Sequence, residues 1–170
     1  MGPGHFAFAL AAKPAAPKAP LWVLLLASEA LDLMCFGFLA LGIENAGVAE
    51  GGFTQGIRIV SPSSLPWSHG LFMSLVWSAI AAAIAYLVFR DRRTSGIIGL
   101  VLFSHWVMDL IVHPPHLPLF FDGSPRVGFG LWTTGPGMVT GAILEVVLLV
   151  VGFAIYWVSR RQRGLRNSGQ

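Results

Sequence analysis

Apolar residues run almost without interruption through four stretches of this chain, about Leu21–Ile43, Leu71–Phe89, Gly96–Val112 and Gly137–Val158, and polar residues collect between them. A helix needs roughly 17–25 such residues to cross a hydrocarbon core, so each stretch is a candidate span. No intervening region is longer than about 25 residues, too short to build a separate core. The pattern predicts an all-α, integral membrane four-helix bundle, with residues 1–170 forming a single membrane domain.

The N-terminal "MGPGHFAFALAAKPAAPKAP" breaks that pattern. Its apolar part, Gly4–Ala12, is too short to cross a bilayer and has no charged region ahead of it, which makes it a poor signal peptide. It is expected to form a short half-helix, inserted or interfacial, stopped by Lys13 and Pro14. The proline-rich "KPAAPKAP" then leads into the first span.

Composition agrees: 55% of residues are hydrophobic and 11% charged, where soluble domains carry about a quarter charged. Charge then orients the chain. Lys13 and Lys18 precede the first span, Arg90, Arg92 and Arg93 link the second to the third, and Arg160, Arg161, Arg163 and Arg166 follow the fourth. With four spans these three regions share one side. The other loops are poor in bases: Ala46–Trp67 holds Glu50 and Arg58, and Pro114–Thr133 holds Asp122 and Arg126. The positive-inside rule therefore puts both termini in the cytoplasm. The formal charge of +3 forms no continuous basic face, which argues against nucleic acid as a partner. Cys35 is the single cysteine, so neither an intrachain disulfide nor a cysteine zinc site is available.

Ionisable side chains inside apolar spans cost at least a few kcal/mol, so each needs a reason. The third span carries His105, Asp109 and His113 at i, i+4 and i+8, one stripe of a helix. The first holds Glu29 and Asp32 on a common face, "PWSHG" puts His69 at the start of the second, and the fourth holds Glu145. At 1.5 Å per residue, Asp32 and His105 fall at similar depth, and His69 and Glu145 enter from the outer side. Imidazoles with carboxylates suit Zn²⁺, Mn²⁺ or Fe²⁺, and a divalent cation offsets two acids in a low-dielectric site. Blander roles compete. His116 is expected to be a solvated interface residue, His113 a helix cap or a support for the ligands, and Glu145 an isolated acid making one interhelical bond. His105 and Asp109 could serve only helix association. Trp22, Trp67, Trp132 and Trp157 sit near span ends as interface anchors, whereas Trp77 and Trp106 should pack between helices. The loop "RVGFGLWTTGPG" could fold over the site as a lid.

The motifs "GHFAFALAAK", "LDL", "GIE", "PWSHGLFMSLVW", "SHWVMDLIVHPPHLPLF" and "RVGFGLW", in that order over nearly the whole chain, resemble small bacterial inner-membrane proteins described as membrane-bound metal-dependent hydrolases. The resemblance implies metal ligands at His5, Asp32, His69, His105 and Asp109. Glu29 stands where the family pattern would have Gln, and Gly70 where it would have Ser. On this reading Asp32, His69, His105 and Asp109 bind a divalent metal with His5 as a fifth ligand. Glu29 or His113 transfers protons, and the substrate is a lipid-like ester or phosphoester. The other classes are a proton or ion pathway, a haem-binding bundle with histidine axial ligands, and a non-catalytic metal-binding subunit of a larger membrane complex.

Overall fold

In the computed structural model, residues 3–48 and 60–168 are described. Glu50 and Arg58 of the base-poor loop lie outside them. Six helices carry the architecture: α1 (His5–Ala12), α2 (Leu21–Ser28), α3 (Ala30–Ala40), α4 (Leu71–Phe89), α5 (Arg92–Val112) and α6 (Gly135–Ser168). Two small antiparallel pairs decorate one end: β1 (Asn45–Val48) with β2 (Val60–Ser64), and β3 (Leu117–Pro118) with β4 (Arg126–Val127). The all-α expectation holds for the body of the molecule. Three helices, α4, α5 and α6, are long and apolar enough to cross a membrane.

The first predicted span differs. Residues 21–43 do not form one rod: α2 and α3 meet at Glu29 with a 53° bend, and together they count as a fourth candidate span. Glu29 has φ −106° and ψ 2°, outside the helical range, and α3 ends at Ala40. Sharp bends arise where the i to i+4 ladder is interrupted. Here the Ser28 carbonyl leaves the ladder for another partner.

Helices α4 and α5 pack as an antiparallel hairpin. Arg90 closes α4 in the left-handed conformation, its N–H donating to the Tyr86 carbonyl. Asp91 then caps α5, its carboxylate accepting the Thr94 N–H at 2.8 Å. The half-helix α1 is inserted among the longer helices, with His5, Ala7 and Ala9 buried. It rests on α6 at Gly152, where an added Cβ would stand 2.4 Å from the Ala7 carbonyl oxygen. Only a glycine permits that approach.

The three basic regions meet at one end. Arg163 donates to the Pro14 carbonyl at 2.7 Å, and Lys18 lies 3.4 Å from Asp91 beside Arg90 and Arg92. Helix α6 runs ten residues past the predicted span into this cluster. Trp22 and Trp157 are exposed, as anchors would be, and along α6 Val139, Ile143, Val147, Val150 and Phe153 point outward. The buried core is built instead from small and branched residues of α1, α2, α4 and α5, including Ala9, Leu24, Ala27, Ala85, Ile98 and Val101.

Candidate metal centre

Helices α1, α3 and α5, with the turn ahead of α4, each deliver a titratable side chain to one buried point. Helix α5 supplies His105 and Asp109 from one face, as the i, i+4 spacing requires. Asp32 comes from the first turn of α3, just past the bend. His5 opens α1, and His69 sits in the turn before α4. All five are buried, His105 to 1% exposure. Chance rarely brings five such groups together inside an apolar fold, where each costs free energy on its own.

The distances are informative. His69 Nε2 lies 3.3 Å from Asp32 Oδ1 and 3.4 Å from Asp109 Oδ2. His105 Nε2 lies 3.5 Å from Asp32 Oδ2 and 3.4 Å from Asp109 Oδ2. These exceed the 2.7–3.2 Å of an ordinary N–H···O bond. They match the edge of a tetrahedron whose donors stand about 2.0–2.1 Å from its centre, roughly 3.3–3.4 Å. His105 Nε2 and Asp32 Oδ2 are buried without a hydrogen-bond partner. Two groups, His5 with His105 and Asp109, and Asp32 with His69 and His105, have ligand atoms close enough to hold a metal ion. Two carboxylates with neutral imidazoles balance the charge of a divalent cation. The donor set fits a metal; it does not specify which one.

The supporting contacts orient the donors. His105 Nδ1 lies 2.7 Å from the Ser28 main-chain oxygen, so Nδ1 carries the proton and Nε2 keeps a free lone pair toward the acids. The turn bearing His69 is pinned by both internal tryptophans: Trp106 Nε1 donates to the His69 carbonyl (2.9 Å) and Trp77 Nε1 to the Trp67 carbonyl (2.7 Å). Gly70 follows at close quarters. A Cβ there would stand 2.4 Å from the Pro66 oxygen, so no larger residue has room in this turn.

His5 enters from above the ring of His105, stacked at 3.9 Å between centroids, with Nε2 3.7 Å from Asp109 Oδ1. Its insertion through α1 gives the N-terminal segment the depth that the half-helix expectation required. His113 ends α5, half-buried, with Nε2 3.5 Å from Asp109 Oδ1 and its ring edge-on to Trp132 at 5.4 Å. Glu29, at the bend, interacts electrostatically with His105 and Asp32, and its Oε1 is buried without a hydrogen-bond partner. Glu145 is buried beside Gly4 and joins neither metal-capable group among the described residues. His116 is half-buried; that burial, with Arg126 and His113 nearby, pushes its pKa below the usual imidazole value.

The loop between β4 and α6 lies across this end of α5. The Phe129 N–H donates to the Leu110 carbonyl (2.8 Å) and the Gly130 N–H to the His113 carbonyl (2.7 Å), bringing Trp132 against His113. Glu44 and Ser68 were not among the expected site residues. Both are buried behind His69 and hydrogen-bonded to each other. A signal was present: Glu44 closes the "GIE" motif, and Ser68 immediately precedes the histidine.

Comparisons of this chain with models of known protein families, with curated proteins and with solved structures find no match.

Proposed function

We propose that this chain is a multi-pass protein of a bacterial inner membrane, with both termini cytoplasmic, and a metal-dependent hydrolase of a lipid-like ester or phosphoester. The observation that carries the metal assignment is the convergence of His69 and His105 Nε2 on Asp32 and Asp109 at 3.3–3.5 Å. The bilayer assignment draws on the outward apolar face of α6 and the gathering of bases at one end, the side the positive-inside rule makes cytoplasmic. A backbone break such as that at Glu29 is tolerated at membrane depth where it lines a protein site.

A bound divalent metal supplies Lewis acidity and a lowered pKa for water. Asp32, His69, His105 and Asp109 hold it, and His5 adds a further donor. His113, partly open and with Nε2 3.5 Å from Asp109 Oδ1, is placed to pass protons between Asp109 and the outer mouth. Glu29 serves the inner side in the same way. Trp132 and the loop over His113 limit water access.

Ring packing favours this reading over haem. His5 stacks directly on His105, and His69 meets His105 edge-on at 5.6 Å, with both His69 and His105 Nε2 turned to Asp32 and Asp109 and not to each other across a gap as a pair of axial ligands would be. The test is hydrolysis by detergent-purified protein loaded with Zn²⁺, Mn²⁺ or Fe²⁺ and offered phospholipid and lipid-phosphate substrates. Metal-dependent product release that His105→Ala abolishes supports the reading. Metal binding without turnover on any lipid ester would leave a non-catalytic metal protein.

A further inference from the structure

Behind the metal-facing side of His69 stands a second polar chain. Glu44 Oε1 accepts the N–H groups of Trp67 and Ser68, each at 2.8 Å, and Oε2 accepts the Ser68 hydroxyl at 2.7 Å. Ser68 Oγ in turn lies 2.8 Å from His69 Nδ1. Glu44 is 3% exposed and Ser68 fully buried, so water does not compete for these bonds. Two backbone donors on one oxygen fix the carboxylate's orientation. The other oxygen then claims the serine proton.

The direction of donation follows. A hydroxyl has one proton to give, and Ser68 has given it to Glu44. Toward His69 it can only accept. The proton of the neutral ring must therefore sit on Nδ1, which leaves the Nε2 lone pair facing Asp32 and Asp109. His105 obtains the same tautomer directly from the Ser28 carbonyl; His69 obtains it through a hydroxyl and a carboxylate.

We propose that Glu44 is a positioning residue that sets the tautomer of His69 through Ser68 and so commits His69 Nε2 to the cation. This rests on the metal-centre reading above. Partners of this kind orient a ligand ring and raise its basicity.

The choice of variant separates this role from mere support of the turn. In Glu44→Gln the side-chain oxygen still accepts both backbone N–H groups, because the opposite amide rotamer would point NH₂ at two donors. The NH₂ then replaces Oε2 and donates to Ser68, whose hydroxyl proton turns to His69 Nδ1. The tautomer reverses and a proton blocks Nε2. Ser68→Ala cuts the chain without reversing it. The expected order of Zn²⁺ affinity is wild type, then Ser68→Ala, then Glu44→Gln, with the last weakened by about 10–100-fold.

The experiment measures Zn²⁺ affinity of the full-length protein in detergent and, in the same samples without metal, the ¹⁵N shifts of the His69 ring. Wild type should show a proton on Nδ1, Glu44→Gln a bare Nδ1 with the ring proton on Nε2, and Ser68→Ala a mixture. A Glu44→Gln protein with wild-type affinity and the wild-type tautomer would overturn the proposal. Should Glu44→Gln fail to fold, Ser68→Ala decides, since an Nδ1 as fully protonated as in wild type would also overturn it. Wild type that takes up no Zn²⁺ would end the metal reading, while the nitrogen shifts would still test Glu44 separately.

Discussion

His105 Nδ1 and the main-chain oxygen of Ser28, 77 residues apart in sequence, stand 2.7 Å from one another. In an unbroken helix that oxygen would accept the N–H of residue 32. The bend at Glu29 releases it, and His105 takes it up. One break thus turns the first candidate span, orients a donor ring and aims Asp32 at the same point.

The contact is with backbone, so the hydroxyl of Ser28 is dispensable. Ser28→Ala should keep wild-type metal content and lose at most about 1 kcal/mol of stability, the worth of one hydrogen bond. Metal analysis beside thermal melts checks this. Loss of metal in Ser28→Ala would mean that the hydroxyl, and not the carbonyl, orients His105.

His113 and Glu29 flank the donor group without completing it. His113→Ala and Glu29→Gln should each retain metal while turnover falls by about 10²–10⁴-fold, the usual worth of a positioned proton-transfer group. Single-turnover kinetics on metal-loaded protein distinguish this from weaker binding. Unchanged rates in both variants would remove proton transfer from these residues.

Helix α1 reaches its depth through Gly152. Gly152→Val should push α1 off α6, cost about 1–3 kcal/mol as overpacking does, and weaken metal binding to the level of His5→Ala. Melting temperature and Zn²⁺ affinity read the two effects. Full affinity in Gly152→Val would show that His5 is not held in place by that contact.

At the opposite end, Thr94, whose backbone N–H donates to it, holds the Asp91 carboxyl below its ordinary pKa of 3.8. A depressed folded value stabilises the fold above pH 3.8 and ceases to do so as pH falls through the folded value. Asp91→Asn should therefore narrow the difference between melting temperatures at neutral and acid pH without changing metal content. A pH dependence identical to wild type would contradict that cap.

Much of this was legible in the residues. The apolar runs located α4, α5 and α6 because a helix long enough to cross a membrane writes its length directly in hydropathy. The i, i+4 spacing of His105 and Asp109 placed both on one face of α5. Asp32, His69 and His5 were named as partners from an ordered set of motifs, and the fold brings them within reach of that face. The bend at Glu29 was not legible, because Ser28–Glu29 lies inside a continuous apolar run and breaks for a tertiary reason, the demand of His105 for a carbonyl. Glu44 was missed for a similar cause. It sits beyond the end of the first span, where an acid reads as solvated, and only the return of the chain at Trp67 and Ser68 buries it. Gly70 fits the same lesson: its reason is the Pro66 carbonyl packed against it.

Elemental analysis of the purified wild-type protein beside His105→Ala, Asp109→Ala and His116→Ala tests the metal centre most directly. The account predicts bound zinc, manganese or iron in wild type and in His116→Ala, and metal at the level of a buffer blank in the other two. Equal metal content in all four proteins would contradict it.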